Sequence, residues 1–396
     1  MDWATAAGSL RRGEDMVGSI EIVAATRNPS DAVNLLQRRS DSSLCQYDGR
    51  RRVSMSADGI EVRVSFPPPA TAGATLIVLT GSAAHIDALQ ARAASIECRL
   101  TEDGLLADTG ALHASAHEHD IYRALGLPFI PPELREGDEE VSAALRGDLP
   151  NLVGRAEIRG DLHMHSTWSD GRDSIEAMVL AGRALGYEYV AITDHSPHSA
   201  ASRNLTADGV EAQAEEIAQV REAYPDIMIL HGCEADILRD GRLDFADEIL
   251  ERFDIVLASL HDDAGHSRGR LMERYASAMR HPLVTLITHP TNRLVPYRSG
   301  YDLDYERVFE MAVETRTVLE IDGAPSHLDL DSALARQAVA AGVTVAIDSD
   351  CHRADMLDRQ MNLGVLIARR GWVEAGHVLN TRSWDDVRRV VAAKRR

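Results

Sequence analysis

Residues 160–171 read GDLHMHSTWSDG, with His163 and His165 two positions apart after a short apolar lead-in and Asp170 beside Gly171 five residues later. Side chains two apart in an extended strand leave the same face, so both imidazoles can converge on one object. With a carboxylate close behind, the object suggested is a metal ion. An isolated H-x-H is better explained by two histidines hydrogen-bonded to backbone at a strand end, so the remainder of the chain has to decide.

Downstream, YEYVAITDH (187–195), IMILHGCEADI (227–237), FDIVLASLHDD (253–263), LVTLITHP (283–290), TVLEIDGAP (317–325) and VTVAIDSDCH (343–352) are short runs rich in Val, Ile and Leu. Helix-like segments such as SIEAMVLAGRALG (174–186) and SALARQAVAAG (332–342) separate them. Repeated strand–helix units with apolar strands predict an α/β fold with a parallel sheet, and this many units predict a barrel. The strands end at His163/His165, His195, Glu234, His261, His289 and Asp350/His352. In a parallel barrel those ends share one face, where groups distant in sequence meet. One strand-end histidine is ordinary; six successive strand ends bearing His, Asp or Glu are not.

The donor set His163, His165, Asp170, His195, Glu234, His261, His289, Asp350 and His352 contains imidazoles and carboxylates and no thiolate, which suits Zn, Mn or Fe. Nine donors exceed the needs of one ion, so two or three ions are expected, with Glu234 and Asp350 as bridges. Clustered divalent ions activate a water and hold both oxygens of a displaced phosphoester. Phosphoester hydrolysis is therefore the predicted reaction, with Asp170, His195, Glu234 and His352 as its catalytic members. No lysine stands near these strands to serve as a bridging ligand.

The 396 residues suggest two or three domains, and 44% hydrophobic content is ordinary for a globular protein. No run approaches the roughly 20 apolar residues of a membrane span. The start, MDWATAAGSLRRGED, lacks the charge, apolar run and cleavage site of a signal peptide, so a cytoplasmic protein without a membrane partner is expected. Cys45, Cys98, Cys233 and Cys351 are scattered, which indicates neither disulfides nor a zinc–thiolate knuckle. A net charge of −20 disfavours tight sequence-independent DNA binding. The basic runs RRGED (11–15) and YDGRRRV (47–53) read as solvated turns. Ahead of residue 150, GSIEIVAAT, GIEVRVSF and ATLIVLTGS (74–82) read as strands of a small α/β unit, and the Pro-rich, acidic stretch 121–153 reads as a connection. The sequence carries no signal of oligomeric state.

The pattern H-x-H, D-G, T-D-H, E, S-L-H, T-H-P, D-x-H resembles the polymerase and histidinol phosphatase (PHP) superfamily over about residues 155–396, with all nine ligand positions of its trinuclear members matched. The resemblance implies a distorted (βα)7 barrel with metals at its C-terminal face. GDLHMHSTWSDG, THPTNRL, LDLD and ARRGWVEAGHVLNT are most similar to the PHP domain of bacterial family X DNA polymerases, which implies 3′-5′ exonuclease and DNA 3′-end processing. His327 stands where that resemblance leads one to expect arginine, and Arg293 is the remaining candidate phosphate ligand.

The first 150 residues resemble the same polymerases: AAGSLRRGEDMVGSIEIV a palm, LTGSAAH its nucleotide-pocket strand, IYRALGLPFIPPELRE the end of a thumb. The implied organisation is a palm-like remnant at 1–70, a thumb-like region and linker at 71–153 and the PHP domain at 154–396, with lyase and fingers domains expected to be absent. Gly8 and Ser9 keep a glycine–serine step that in such folds contacts a triphosphate, followed by Arg11 and Arg12. Where three acids should hold two Mg ions, the chain has Ser19, Glu21 and Arg63, so no polymerase activity is expected. Two substrates fit the barrel: DNA ends, or a small phosphomonoester as in the histidinol phosphatase branch.

Overall fold

Alternating apolar residues around GIEVRVSF pair into a five-stranded sheet. Its strands are β1 (Trp3–Ala7), β2 (Ser19–Ala25), β3 (Cys45–Tyr47), β4 (Arg52–Ala57) and β5 (Ile60–Ser65), in the order β1-β2-β5-β4-β3. The computed structural model describes residues 1–39, 45–47, 51–199, 201–261 and 266–395; residues 48–50 of YDGRRRV and Asp262 and Asp263 of the SLHDD motif lie outside them. The chain divides into two units, 1–150 and 151–396. The first unit also holds a small antiparallel sheet of β6 (Cys98–Thr101), β7 (Gly104–Ala107) and β8 (Leu112–Ala114).

Two expectations for this unit change. The run ATLIVLTGS is not a strand: Ala72–Thr80 is a helix, followed by a second helix, Ala83–Ala94. The first helix buries Ala72, Gly73, Ala74, Thr75, Leu76, Ile77 and Thr80, so it is apolar on nearly every side. A helix buried all round has no amphipathic period, and an apolar run of this length reads equally as a strand. Gly73 marks the contact that decides it, since a Cβ there would lie 2.5 Å from the backbone nitrogen of His117. Residues 121–150 are likewise packed structure, with Ile121, Tyr122, Leu125, Ile130 and Leu134 buried.

In the second unit the strands β9 (Gly160–Asp161), β10 (Tyr189–Ile192), β11 (Met228–Asp236), β12 (Ile255–Ser259), β13 (Val284–Ile287), β14 (Val318–Asp322) and β15 (Val345–Asp348) run parallel in sequence order. Helices return the chain between most of them, including Ile175–Ala184 and Ser332–Ala340. One face of each strand packs outward; the other fills the barrel with Leu162, Tyr189, Ala191, Leu230, Ile255, Leu257, Leu286 and Val318. Val387 and Val391 of the C-terminal helix Trp384–Lys394 join that inner cluster. Arg395 of its tail donates to the Phe253 and Asp254 carbonyls just ahead of β12. The helix therefore stoppers the N-terminal end of the barrel, and polar chemistry is left the C-terminal end.

Between β9 and β15 one backbone bridge and several side chains stand in for a continuous ladder. Met164 bridges Cys351 in parallel fashion, and the amide of Leu162 donates to Asp348 Oδ1 at 2.8 Å. Asn380, fully buried, donates Nδ2 to the carbonyls of Gly160 (2.9 Å) and Ile347 (2.6 Å) and accepts from the Ile347 amide at 3.0 Å. It acts as one residue of a missing strand. Asn380→Leu leaves those backbone groups buried and unpaired, and should lower stability by about 3 kcal/mol in urea unfolding. A loss below about 0.5 kcal/mol, the range of a neutral surface change, would show that Asn380 does not close the barrel.

Candidate metal centre

Eight of the nine donors sit where strands end, and the backbone explains how they turn inward. His163 and His165 follow β9 with Met164 bridged to Cys351 between them, so the chain stays extended and the two imidazoles share a face. The Asp170–Gly171 step belongs to a loop folded back on this segment: a Cβ at Gly171 would lie 2.6 Å from the Ser166 carbonyl oxygen. That loop is pinned by Asp194, which accepts from the amides of Ser166 (2.8 Å) and Ser169 (3.1 Å), from both serine hydroxyls and from Gln213 Nε2. Asp350 holds φ +49, a conformation non-glycine residues adopt under constraint.

The donor atoms face one another. His163 Nε2 and His165 Nε2 are 3.1 Å apart, and His165 Nε2 is 3.0 Å from Asp350 Oδ1. Asp170 Oδ1 stands 3.1 Å from His352 Nε2 and 3.5 Å from His195 Nε2. Glu234 is central: Oε2 lies 2.7 Å from His195 Nδ1 and 3.5 Å from His163 Nε2, and Oε1 lies 2.9 Å from His289 and 3.5 Å from His261. Ligands of a tetrahedral ion with bonds of about 2.0–2.1 Å are separated by roughly 3.3 Å, which is the spacing of these pairs.

Hydrogen bonding accounts for the His165–Asp350 and His289–Glu234 contacts but not for the rest of this proximity. His195 Nδ1 and Glu234 Oε2 are buried without a hydrogen-bond partner, although they are only 2.7 Å apart. Atoms so close but misaligned for a proton suit two ligands of a common ion. Three donor groups emerge around separate points: His165, Asp170, His195 and His352; His163, His165 and Asp350; and His195, Glu234 and His261. All nine predicted donors thus come together, His289 through its contact with Glu234.

Charge is tuned accordingly. Burial, reinforced by neighbouring His195 and His352, pushes the His165 imidazole down to about 3, keeping its lone pair free. Burial works against ionisation of Asp170, yet the His352 hydrogen bond and the surrounding imidazoles bring it down to about 2. Glu234 is held well below the carboxylate range in the same way, its burial outweighed by His195, His261 and His163.

Several residues of this region escape the strand-end pattern. Glu320 receives His163 Nδ1 at 2.7 Å and the His289 amide at 2.6 Å, and Asp236 faces His261 Nδ1 at 2.9 Å. Such carboxylates fix which imidazole nitrogen meets a metal. Their signal was period two: Asp236 follows Glu234 by two residues on β11, and Glu320 precedes Asp322 by two on β14. Arg293 does not line the pocket above the cluster; its Nε donates to the His327 carbonyl at 2.9 Å and Nη2 to that of Leu328. The guanidinium lining that pocket of about 320 Å³ is Arg298, held by Asn292 through its carbonyl (3.0 Å) and Oδ1 (2.8 Å).

In the first unit, Glu21 of β2 and Arg63 of β5 are in register. Arg63 Nη1 donates to Glu21 at 3.1 Å, while Nε and Nη2 donate to Glu61 at 2.9 and 2.8 Å. The guanidinium thus lies between two carboxylates. Gly8, at φ +62, lets its backbone approach Glu21, whose Cγ would be 3.0 Å from an added Cβ. Ser9 follows in the five-residue helix Gly8–Arg12, and Arg11 is committed to Glu118 at 2.6 and 2.8 Å.

Family models match at two places: the DNA polymerase beta thumb at residues 75–136 and the PHP domain at residues 161–321. The protein named DNA polymerase/3′-5′ exonuclease PolX from Bacillus subtilis is 38% identical over 391 residues, covering 96% of this chain and 67% of that relative. A protein described as a probable phosphatase from Caldanaerobacter subterraneus is 30% identical over 214 residues, covering 51% of this chain and 80% of its own length. No helix among the described residues is long and apolar enough to cross a membrane.

Without metal, burial opposes protonation of His352, but the Asp170 hydrogen bond and the Asp350 charge raise it to about 9. It is therefore protonated at pH 7 and must lose that proton to become a ligand. Calorimetric titration of apo-protein with Mn²⁺ at pH 7, in buffers of different ionisation enthalpy, should show proton release. His352→Ala should release fewer protons than the wild type, and equal release by the two would remove His352 from the ligand set.

Proposed function

The chain belongs to the PHP domain family of metal-dependent phosphoesterases, in the branch that joins this domain to a family X polymerase thumb, and from that premise we propose that it is a 3′-5′ exonuclease acting on DNA 3′ ends. The observation that carries the reading is the convergence of six imidazoles and three carboxylates around Glu234 and Asp350. Two or three divalent ions of the Zn, Mn or Fe type would fit this set, held by Glu234, Asp350, Asp170, His195 and His352 with the remaining imidazoles. When bound, such ions activate a water and stabilise the leaving oxygen of a phosphoester.

The protein's own part is positioning. Arg298, locked by Asn292, presents donors to a phosphate entering the pocket, a charge-assisted contact that orients the ester over the cluster. Asp194 and Gln213 hold the loop that carries Asp170. In the first unit, the Arg63 guanidinium between Glu21 and Glu61 supports an absence of polymerase activity, and Gly8 and Ser9 are then a vestige of a nucleotide site.

A second reading, a small-molecule phosphatase, is favoured by the net charge of −20 and by the phosphatase relative. Purified protein with Mn²⁺, given a 3′-recessed duplex and a panel of small phosphomonoesters, distinguishes them. The proposal expects nucleotide release from the duplex; turnover of monoesters with intact DNA would replace it with the second reading. Glu234→Ala and Asp350→Ala should each reduce hydrolysis roughly 100-fold or more, and undiminished rates in both would move the site elsewhere. Arg298→Ala should raise KM by about 10-fold with kcat little changed, as for loss of one charge-assisted hydrogen bond. Primer extension with Mg²⁺ or Mn²⁺ should be undetectable, and extension that survives Glu21→Ala would overturn the reading of the palm.

A further inference from the structure

Beside the nine donors lies a group that the strand-end pattern does not include. Asp322 at the end of β14, His327 in the loop that follows and Asp350 each offer a ligand atom within 4.8 Å of the other two. Asp322 is fully buried; its Oδ1 accepts from the Ala324 amide at 2.6 Å, while Oδ2 is buried with no hydrogen-bond partner. Asp350 turns Oδ1 toward His165 at 3.0 Å and His163 at 3.6 Å.

His327 is oriented from behind. Its Nδ1 lies 3.1 Å from the Arg293 carbonyl oxygen, which only accepts, so Nδ1 carries the proton and Nε2 presents a lone pair. Arg293 returns the contact through Nε to the His327 carbonyl at 2.9 Å, and the imidazole stacks on His289 with centroids 5.0 Å apart. An imidazole tied by one nitrogen to a carbonyl, with the other open toward carboxylates, is the arrangement of a metal-ligating histidine. Two buried carboxylates side by side repel unless a proton or a cation lies between them.

We propose that Asp322, His327 and Asp350 form an auxiliary divalent-cation subsite, sharing Asp350 with the main cluster. One imidazole nitrogen and carboxylate oxygens suit Mn²⁺ or Zn²⁺. His327 and Asp350 both line the pocket, so a cation held here adds positive charge where a phosphate enters. The inference rests on the reading that the barrel end binds divalent ions at all.

The test is Mn content per full-length chain after equilibration with Mn²⁺, measured by elemental analysis for wild type, His327→Ala and the isosteric Asp322→Asn. Each variant should hold about one Mn fewer than wild type and keep the rest. Equal content in wild type and both variants would overturn the subsite and leave Asp322 and Asp350 sharing a proton. Wild type without Mn would overturn the metal-centre reading itself, and this inference with it. His327 is partly exposed, so His327→Ala decides the matter even where Asp322→Asn fails to fold.

Discussion

Lone pairs crowded together away from water are the constraint on which the C-terminal unit depends. Around Glu234, fully buried, imidazole nitrogens and carboxylate oxygens approach to between 2.7 and 3.5 Å, and Oε2 beside His195 Nδ1 lacks the alignment that a hydrogen bond requires. In a low-dielectric setting such an arrangement is costly unless a positive charge sits among the donors. The surrounding structure is organised to hold it regardless. Asn380 closes the barrel, the C-terminal helix fills its lower end, and Asp194, Glu320 and Asp236 fix the loops and rings that face inward.

The main donors were legible in the sequence for a physical reason. A parallel barrel gathers every strand's C-terminal end on one face, so His163, His195, Glu234, His261, His289 and Asp350 could be assigned to one place from their positions after apolar runs. What escaped lacks that regularity. Arg298 reaches the pocket from an irregular loop, and Arg293, nearer the THP motif, is drawn off by the carbonyls of His327 and Leu328. Only the folded path of the chain after His289 distinguishes the two. The helix Ala72–Thr80 was hidden because burial on nearly all sides removes the helical period from its sequence.

In the N-terminal unit an arginine joins carboxylates of neighbouring strands. Glu21 and Arg63 occupy neighbouring strands in register, and one guanidinium now serves Glu21 and Glu61 together. A tethered arginine balances the charge of two acids but offers none of the open coordination positions of a hydrated divalent ion. Likeness of fold does not by itself carry a reaction, because a reaction lives in a few side chains.

Anomalous X-ray scattering at the manganese edge, from crystals of the full chain grown with Mn²⁺, tests the central claim most directly. The account predicts more than one anomalous peak at the C-terminal end of the barrel, at least one of them within bonding distance of Glu234 or Asp350 and of at least one of His163, His165, His195 or His261. A single peak remote from Glu234, or none at the barrel end, would contradict it.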